Sequence, residues 1–317
     1  MKPHLFSPEN PLKIGTRGSP LALVQANQVR DLLIQAHDIH ESAVIVKTIK
    51  TTGDIVVDKP LSDIGGKGLF TKEIETALLD GAIDIAVHSS KDVATLLPQG
   101  LKLSAFLPRE DVRDAFIGKT SNSLSELHQG ATIGSASLRR HAQLKRYRPD
   151  FNVIIFRGNI QTRLRKLNEG KADATLLAAA GLNRLKMNDI VSEYLDPEIF
   201  LPACGQGAVC IETRTDNKET EDFIMPLHDE HTAAAIKTER AFLNVLDGSC
   251  RTPIAGIATI DADQLHFKGE VLRPDGSESF SIENTGSLND AQSIGEEAGM
   301  KLKSRLSTDF LDALQQR

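Results

Sequence analysis

The chain has 317 residues, more than one hydrophobic core usually serves, so two or three domains are expected. With 40% hydrophobic and 25% charged residues it has the composition of an ordinary globular protein, which excludes a disordered or fibrous chain, and no apolar run is long enough to cross a bilayer. A net charge of −6 requires that any anionic ligand be met by a local cluster of cations, against the overall field.

In chain order, LKIGT at residues 12–16 predicts a strand. The following RGSPLALVQANQVRDLLIQAH predicts a turn and a helix, with Ser19 at the N-cap, Pro20 at the first helical position, and Leu21, Val24, Leu32 and Leu33 on the buried stripe. Arg17 then stands at a strand-to-helix junction, where a guanidinium and free backbone N–H groups together hold a carboxylate or phosphate. A second strand, AVIVKTIK at 43–50, leads into TTGDIVVDKPLSDIGGKG, a polar, glycine-bearing segment without periodicity that reads as a loop over the site. Its GGKG lacks the spacing and the following Ser or Thr of a phosphate-binding loop.

LFTKEIETALLDG predicts a capped amphipathic helix ending at Gly81, and it feeds the apolar strand Ile85–His88. The strand runs into a polar turn with Ser89, Lys91 and Asp92. In open α/β sheets ligands bind just beyond the carboxyl ends of such strands, which makes Asp92 a catalytic candidate. The alternative is that Ser89, Ser90 and Asp92 only cap the next segment. The order βαβαβ predicts a doubly wound first domain.

LKLSAFLP and DAFIGK continue as strands, and residues 131–185 repeat strand and helix as a second α/β domain. From Arg139 to Arg165 eight basic residues face one acid, Asp150. Lys145, Arg146, Arg148 and Arg165 read as a solvated face. Arg139 and Arg140 fall in the first turn of a helix capped by Ser137, where cations oppose the macrodipole, so an anion is expected beside them. With Arg157 in an RGN turn and Arg163 at the next helix start, they form an arginine rim suited to a ligand with several carboxylates. Nucleic acid is disfavoured: there is no Trp, there are two Tyr, and no aromatics interleave with the arginines.

AVCIE, after IFLPACGQG, predicts a strand returning to the first domain, and two such crossings predict a hinge with the ligand in the cleft. HDEHTAAAIKTERAFLNVL is helical. Three strands follow, IAGIATID, QLHFKGEVLR and SESFSIENT, and a last helix over 288–314 completes an α+β third domain. His228 and His231 find no third ligand, so no metal is expected. The odd count of three cysteines, without CxxC spacing, excludes a disulfide framework and a thiolate metal site. Cys204 and Cys210 read as buried hydrophobes, whereas Cys250 sits in the small polar loop LDGSCRTPIAG beside Arg251, where a thiolate is reactive. The start of the chain lacks the apolar core of a secretory signal, so a cytoplasmic location is expected.

Seven stretches, RGSPLALVQA, GGKGLFTKEIE, DIAVHSSKDV, SLRRHAQL, RGNIQTRL, LPACGQGA and GSCRTPIAG, occur in an order and spacing that closely resemble the porphobilinogen deaminase (hydroxymethylbilane synthase) family over nearly the full length. The resemblance implies two doubly wound domains like those of periplasmic binding proteins (1–107 with 208–225, and 108–207), plus a smaller α+β domain (226–317) with a three-stranded antiparallel sheet. It implies a cytoplasmic monomer that joins four porphobilinogen molecules, with loss of ammonia, into the linear tetrapyrrole hydroxymethylbilane of heme biosynthesis, without nucleic acid or membrane as partner. A covalent dipyrromethane cofactor is implied, held by a thioether to Cys250. The implied catalytic residue is Asp92, and the implied cofactor and substrate ligands are Arg17, Ser19, Lys67, Ser89, Lys91, Arg139, Arg140, Arg157, Arg163 and Arg184. Departures are Asp63, where the family often carries Lys, and Ser135 with Ala136, in a stretch that often reads TSS. The rival classes are a non-enzymatic anion-binding module and a phosphoryl-transfer enzyme, for which no magnesium ligand set is evident.

Overall fold

The computed structural model describes residues 5–55, 68, 70–246 and 252–315. Through them the chain runs β1 (Leu12–Arg17), α1 (Pro20–His37), β2 (Val44–Ile49), α2 (Thr52–Ile55), α3 (Lys72–Leu79), β3 (Ile85–Ser89), β4 (Leu101–Phe106) and β5 (Asp114–Gly118). It continues with β6 (Thr132–Gly134), α4 (Leu138–Tyr147), β7 (Asn152–Ile154), α5 (Ile160–Asn168), β8 (Ala174–Ala178), α6 (Ala179–Arg184), β9 (Glu193–Tyr194) and β10 (Val209–Arg214). The remainder is α7 (Lys218–Ile224), α8 (Glu230–Val245), β11 (Ile254–Asp261), β12 (Gln264–Leu272), β13 (Ser279–Ser287), α9 (Ala291–Lys303) and α10 (Thr308–Gln315). The described residues divide into two compact units, one of residues up to 55, 68–110 and 208–233, the other of 111–207 and 234–315.

The first unit is built on a five-stranded sheet in the order β2-β1-β3-β10-β4. Strands β2, β1 and β3 are parallel, and β10 is inserted antiparallel between β3 and β4, so AVCIE does return to the first sheet. Helix α1 begins as expected, with the Ser19 hydroxyl accepting from the Ala22 N–H and proline at the start. Its buried stripe differs from the expected one: Gln25, Ala26, Val29 and Leu33 are inside, and Leu21, Val24 and Leu32 lie on the flank. Gln25 is buried because its amide bonds Ser89 at the end of β3, a polar contact that hydrophobic periodicity does not register. Helix α3 lacks the expected side-chain cap, since Thr71 makes no cap bond, and Glu73 and Glu75 favour its first turn instead.

In the second unit a sheet of the same arrangement runs β7-β6-β8-β5-β9, again with three parallel strands and an antiparallel neighbour, β5. The chain reaches this sheet through β5 and leaves it for β10. A three-stranded antiparallel meander, β11-β12-β13, completes the unit, its core formed by Phe242, Leu265, Phe267, Ile294 and Phe310. The single terminal helix expected over 288–314 is two helices. The break falls at residues 304–307, where Ser307 turns its hydroxyl to the Phe310 N–H and restarts the chain as α10. The class is thus α/β with a smaller α+β part.

Candidate active site

In the first unit, the parallel strands β1 and β3 are neighbours, so the residues that follow them come together at their carboxyl ends. Arg17, Ser19, Phe70, His88, Ser89 and Asp92 line one small pocket there, of about 50 Å³. Asp92 ends a single 3₁₀ turn (Ser90–Asp92) that continues β3, and its carboxylate is exposed, while Lys91 in the same turn is half-buried. The Arg17 guanidinium lies 4.2 Å from the Phe70 ring centroid, which fixes it over the pocket by a cation–π contact. Ser89 is held by reciprocal bonds with the Gln25 amide at 2.9 and 3.1 Å. The pocket therefore combines an exposed carboxylate, a guanidinium and the hydroxyls of Ser19, Thr71 and Ser89. It can hold a cationic or N–H-bearing group against Asp92 and an acidic side group against Arg17.

The second unit brings arginines to the equivalent ends of β6, β7 and β8. Arg139 and Arg140 stand in the first turn of α4, where Ser137 accepts from the Arg140 N–H as expected. Both are buried, at 4% and 5% exposure. The anion demanded by the helix start is internal: Asp114, fully buried at the head of β5, lies 2.8 Å from a terminal nitrogen of each. Arg139 also donates to Gln143 and to the Leu201 carbonyl, Arg140 to the Leu176 carbonyl, and Gln206 to Asp114. Burial opposes ionisation of Asp114, but the charges of Arg139 and Arg140 with the bonds from Arg140 and Gln206 outweigh it, holding the carboxyl far below the usual aspartate range.

That network leaves donors unused. The Nε of Arg139, the Nε of Arg140 and one terminal nitrogen of Arg157 are buried without a hydrogen-bond partner among the described residues. Buried guanidinium N–H groups of this kind are costly unless an acceptor meets them, and carboxylates are the acceptors their geometry suits. Arg157 lies in the turn after β7, and Arg163, in α5, donates Nε to the Gly158 carbonyl at 3.0 Å. Arg184, at the end of α6, bonds the Gly207 carbonyl at 2.8 Å and so holds the CGQG loop. Cys204 and Cys210 are buried and form no disulfide. Cys250, Lys67 and Asp63 lie outside the described residues.

Asp114 is not signalled by the sequence pattern beyond an acid opening an apolar strand (DAFIG), and Gln25 and Phe70 carry no signal. One test follows directly. Asp114→Asn leaves two buried guanidiniums without their anion and is expected to cost about 3 kcal/mol of stability at neutral pH, measured by urea unfolding. Because the folded carboxyl is depressed, this contribution is present above the ordinary aspartate range and is lost as pH falls through the depressed value. The gap between wild type and variant therefore narrows in acid.

Comparison with known proteins gives these sites a context. Residues 12–222 match the family model described as porphobilinogen deaminase, dipyromethane cofactor binding domain, and residues 233–304 match the porphobilinogen deaminase C-terminal domain. The porphobilinogen deaminase of Nitrobacter hamburgensis is 53% identical over 297 residues, 94% of each chain, and that of Nitrobacter winogradskyi 52% over the same length and shares. Among solved structures, a putative methionine-binding lipoprotein from Bacillus subtilis is similar at a TM-score of 0.42 and 15% identity, over 71% of this chain and 93% of that one, and nothing about this chain follows from so remote a likeness. The family models together with relatives identical at more than half of their aligned positions show that this chain belongs to the porphobilinogen deaminase family.

Proposed function

We propose that Asp92 is the catalytic carboxylate and that the arginines at the strand ends hold the acidic side groups of cofactor and product, in the activity that defines the family. This activity joins four porphobilinogen molecules, with release of ammonia, into linear hydroxymethylbilane for heme biosynthesis. The observation that carries the reading is the meeting of Asp92, Arg17, Ser19 and Ser89 at one pocket. Loss of the aminomethyl nitrogen leaves positive charge on the substrate ring. Asp92 accepts a hydrogen bond from the pyrrole N–H and stabilises that charge as it develops. Arg17, with Ser19, Ser89 and Lys91, orients the acetate and propionate of the incoming molecule. Lys67 is assigned to the same set from the family resemblance.

A bound dipyrromethane supplies the ring carbon to which successive units are added. The unpaired N–H groups of Arg139, Arg140 and Arg157 support a fit to its carboxylates, and Arg163 and Arg184 are assigned to the same set. Cys250 is the proposed thioether attachment point. We read the enzyme as a cytoplasmic monomer whose partner is the small molecule porphobilinogen; among the described residues no helix is long and apolar enough to cross a membrane.

The test is direct. Purified protein given porphobilinogen is expected to release ammonia and form the linear tetrapyrrole in a ratio of four to one, and release without that product would sink the reading. Arg157→Leu is expected to raise KM for porphobilinogen about tenfold or to slow the later additions, read by trapping the partly elongated enzyme in mass spectra. An unchanged KM together with an unchanged distribution of trapped species would remove Arg157 from the site.

A further inference from the structure

Behind the pocket, on the face of the first sheet that α3 covers, lies a polar cluster that the reaction as described does not use. His88 on β3 and Glu212 on β10 are diagonal neighbours on one face, since Cys210 pairs with His88 and Glu212 with Ala86. The His88 Nε2 is hydrogen-bonded with a Glu212 carboxyl oxygen at 3.0 Å, and the two residues are 5% and 0% exposed. Glu75 reaches the same place from α3, at 6% exposure. Around them is the apolar set Ile74, Leu78, Ile83, Ala86 and Leu101. One oxygen of Glu75 and one of Glu212 are buried without a hydrogen-bond partner among the described residues.

Two carboxyl groups and an imidazole in such surroundings are expensive to bury, and an apolar trio would serve packing as well. Their position gives them a use. His88 also lines the Asp92 pocket, four residues before Asp92 and at the end of the strand from which the turn springs. We propose that His88, held by Glu212, is a positioning residue for the condensation, and that Glu75 adds a switchable negative charge behind Asp92. The proposal rests on the assignment of Asp92 made above. It fixes the end of β3 from the inside and ties the field at Asp92 to the proton on Glu75.

Burial, reinforced by the charge on Glu212, pushes the Glu75 carboxyl above its ordinary value, against the pull of the Thr71 hydroxyl and of His88. Glu73 on α3 acts in the same sense as Glu212. On the pocket side the charged groups are Arg17 and Asp92, and Arg214 on β10 binds the Leu78 and Ile83 carbonyls at the far end of α3. As pH rises through the Glu75 value a negative charge appears on Glu75. Because the substrate ring becomes positive as ammonia leaves, kcat is expected to rise with it.

The test is steady-state kinetics against pH on full-length protein carrying its cofactor. His88→Gln and Glu212→Gln are each expected to lower kcat about tenfold or more with little change in KM, since a misplaced carboxylate costs rate rather than binding. The double variant should be no slower than the slower single, as for residues acting as one unit. Glu75→Gln, whose amide keeps the shape of the neutral acid, should abolish the rise of kcat with pH. An unchanged kcat and pH profile in His88→Gln, or losses that multiply in the double variant, overturns the proposal. If the His88 and Glu212 variants do not fold, Glu75→Gln decides alone, an unaltered profile counting against. Asp92→Asn, measured in parallel, separates the two claims: full turnover there defeats the Asp92 assignment, whereas flat His88 and Glu75 results beside an inactive Asp92→Asn defeat only this inference.

Discussion

Cys250→Ser is expected to give a protein whose intact mass equals that of its sequence and which forms no tetrapyrrole. The wild type is expected to be heavier by two porphobilinogen units less two molecules of ammonia. A thiolate displaces ammonia from the aminomethyl carbon of the first unit, so that a carbon–sulfur bond replaces a carbon–nitrogen bond and one ammonia departs; the second unit adds with loss of another. Serine offers no comparable nucleophile at neutral pH, because a hydroxyl is far less ionised than a thiol. Without the tether the first units are free to diffuse away, and the effective concentration that makes each later addition intramolecular is lost. Cys204 and Cys210, both buried, are not expected to substitute, and their serine variants should keep the added mass. A wild-type protein of unmodified mass that still produced tetrapyrrole would end the covalent reading.

For Asp92→Ala the expected outcome is the reverse: the extra mass is retained while kcat falls about 10²- to 10³-fold, the range for losing one preorganised charge-stabilising group. The carboxylate is exposed at the pocket, so its removal leaves no cavity in a core and no buried partner stranded, and stability should change little. KM should move less than kcat, because Arg17 and the hydroxyls of Ser19 and Ser89 remain to take the acidic side groups. Asp92→Glu keeps the charge but lengthens the arm, and should recover part of the loss only if position is less demanding than charge. The measurement is single-turnover kinetics beside intact mass; wild-type rates in the alanine variant would remove Asp92 from the chemistry.

Much of the architecture is legible in the chain because it is local. The apolar run Ile85–His88, the Ser19-Pro20 helix start and the alternation along β11 to β13 each state their element within a few residues. The place of Asp92, in a charged turn after an apolar strand, was legible for the same reason. What the local pattern withholds is the partner of a buried polar group. Arg140 meets Asp114 26 positions away, and His88 meets Glu212 across 124, and no periodicity encodes such a meeting. Nothing local in the sequence therefore signals that Arg139 and Arg140 share an internal carboxylate. The long terminal helix failed differently: apolar spacing persists through residues 304–307, and only the Ser307 cap marks where α10 begins. Cys250, whose role came from the family resemblance and its loop composition, lies where the structure offers no description.

Helix α4 carries Arg139 and Arg140 at its start and, nearer its end, Arg146, whose guanidinium bonds Glu270 in β12 and the Ile199 carbonyl. Glu239 on α8 likewise accepts from the backbone of Gly205 and of Ala258 in β11. The strand that follows the GSCRTP loop is thereby bolted to the same framework as the guanidinium cluster. Residues 254–261 and the first turn of α4 are consequently carried as one piece.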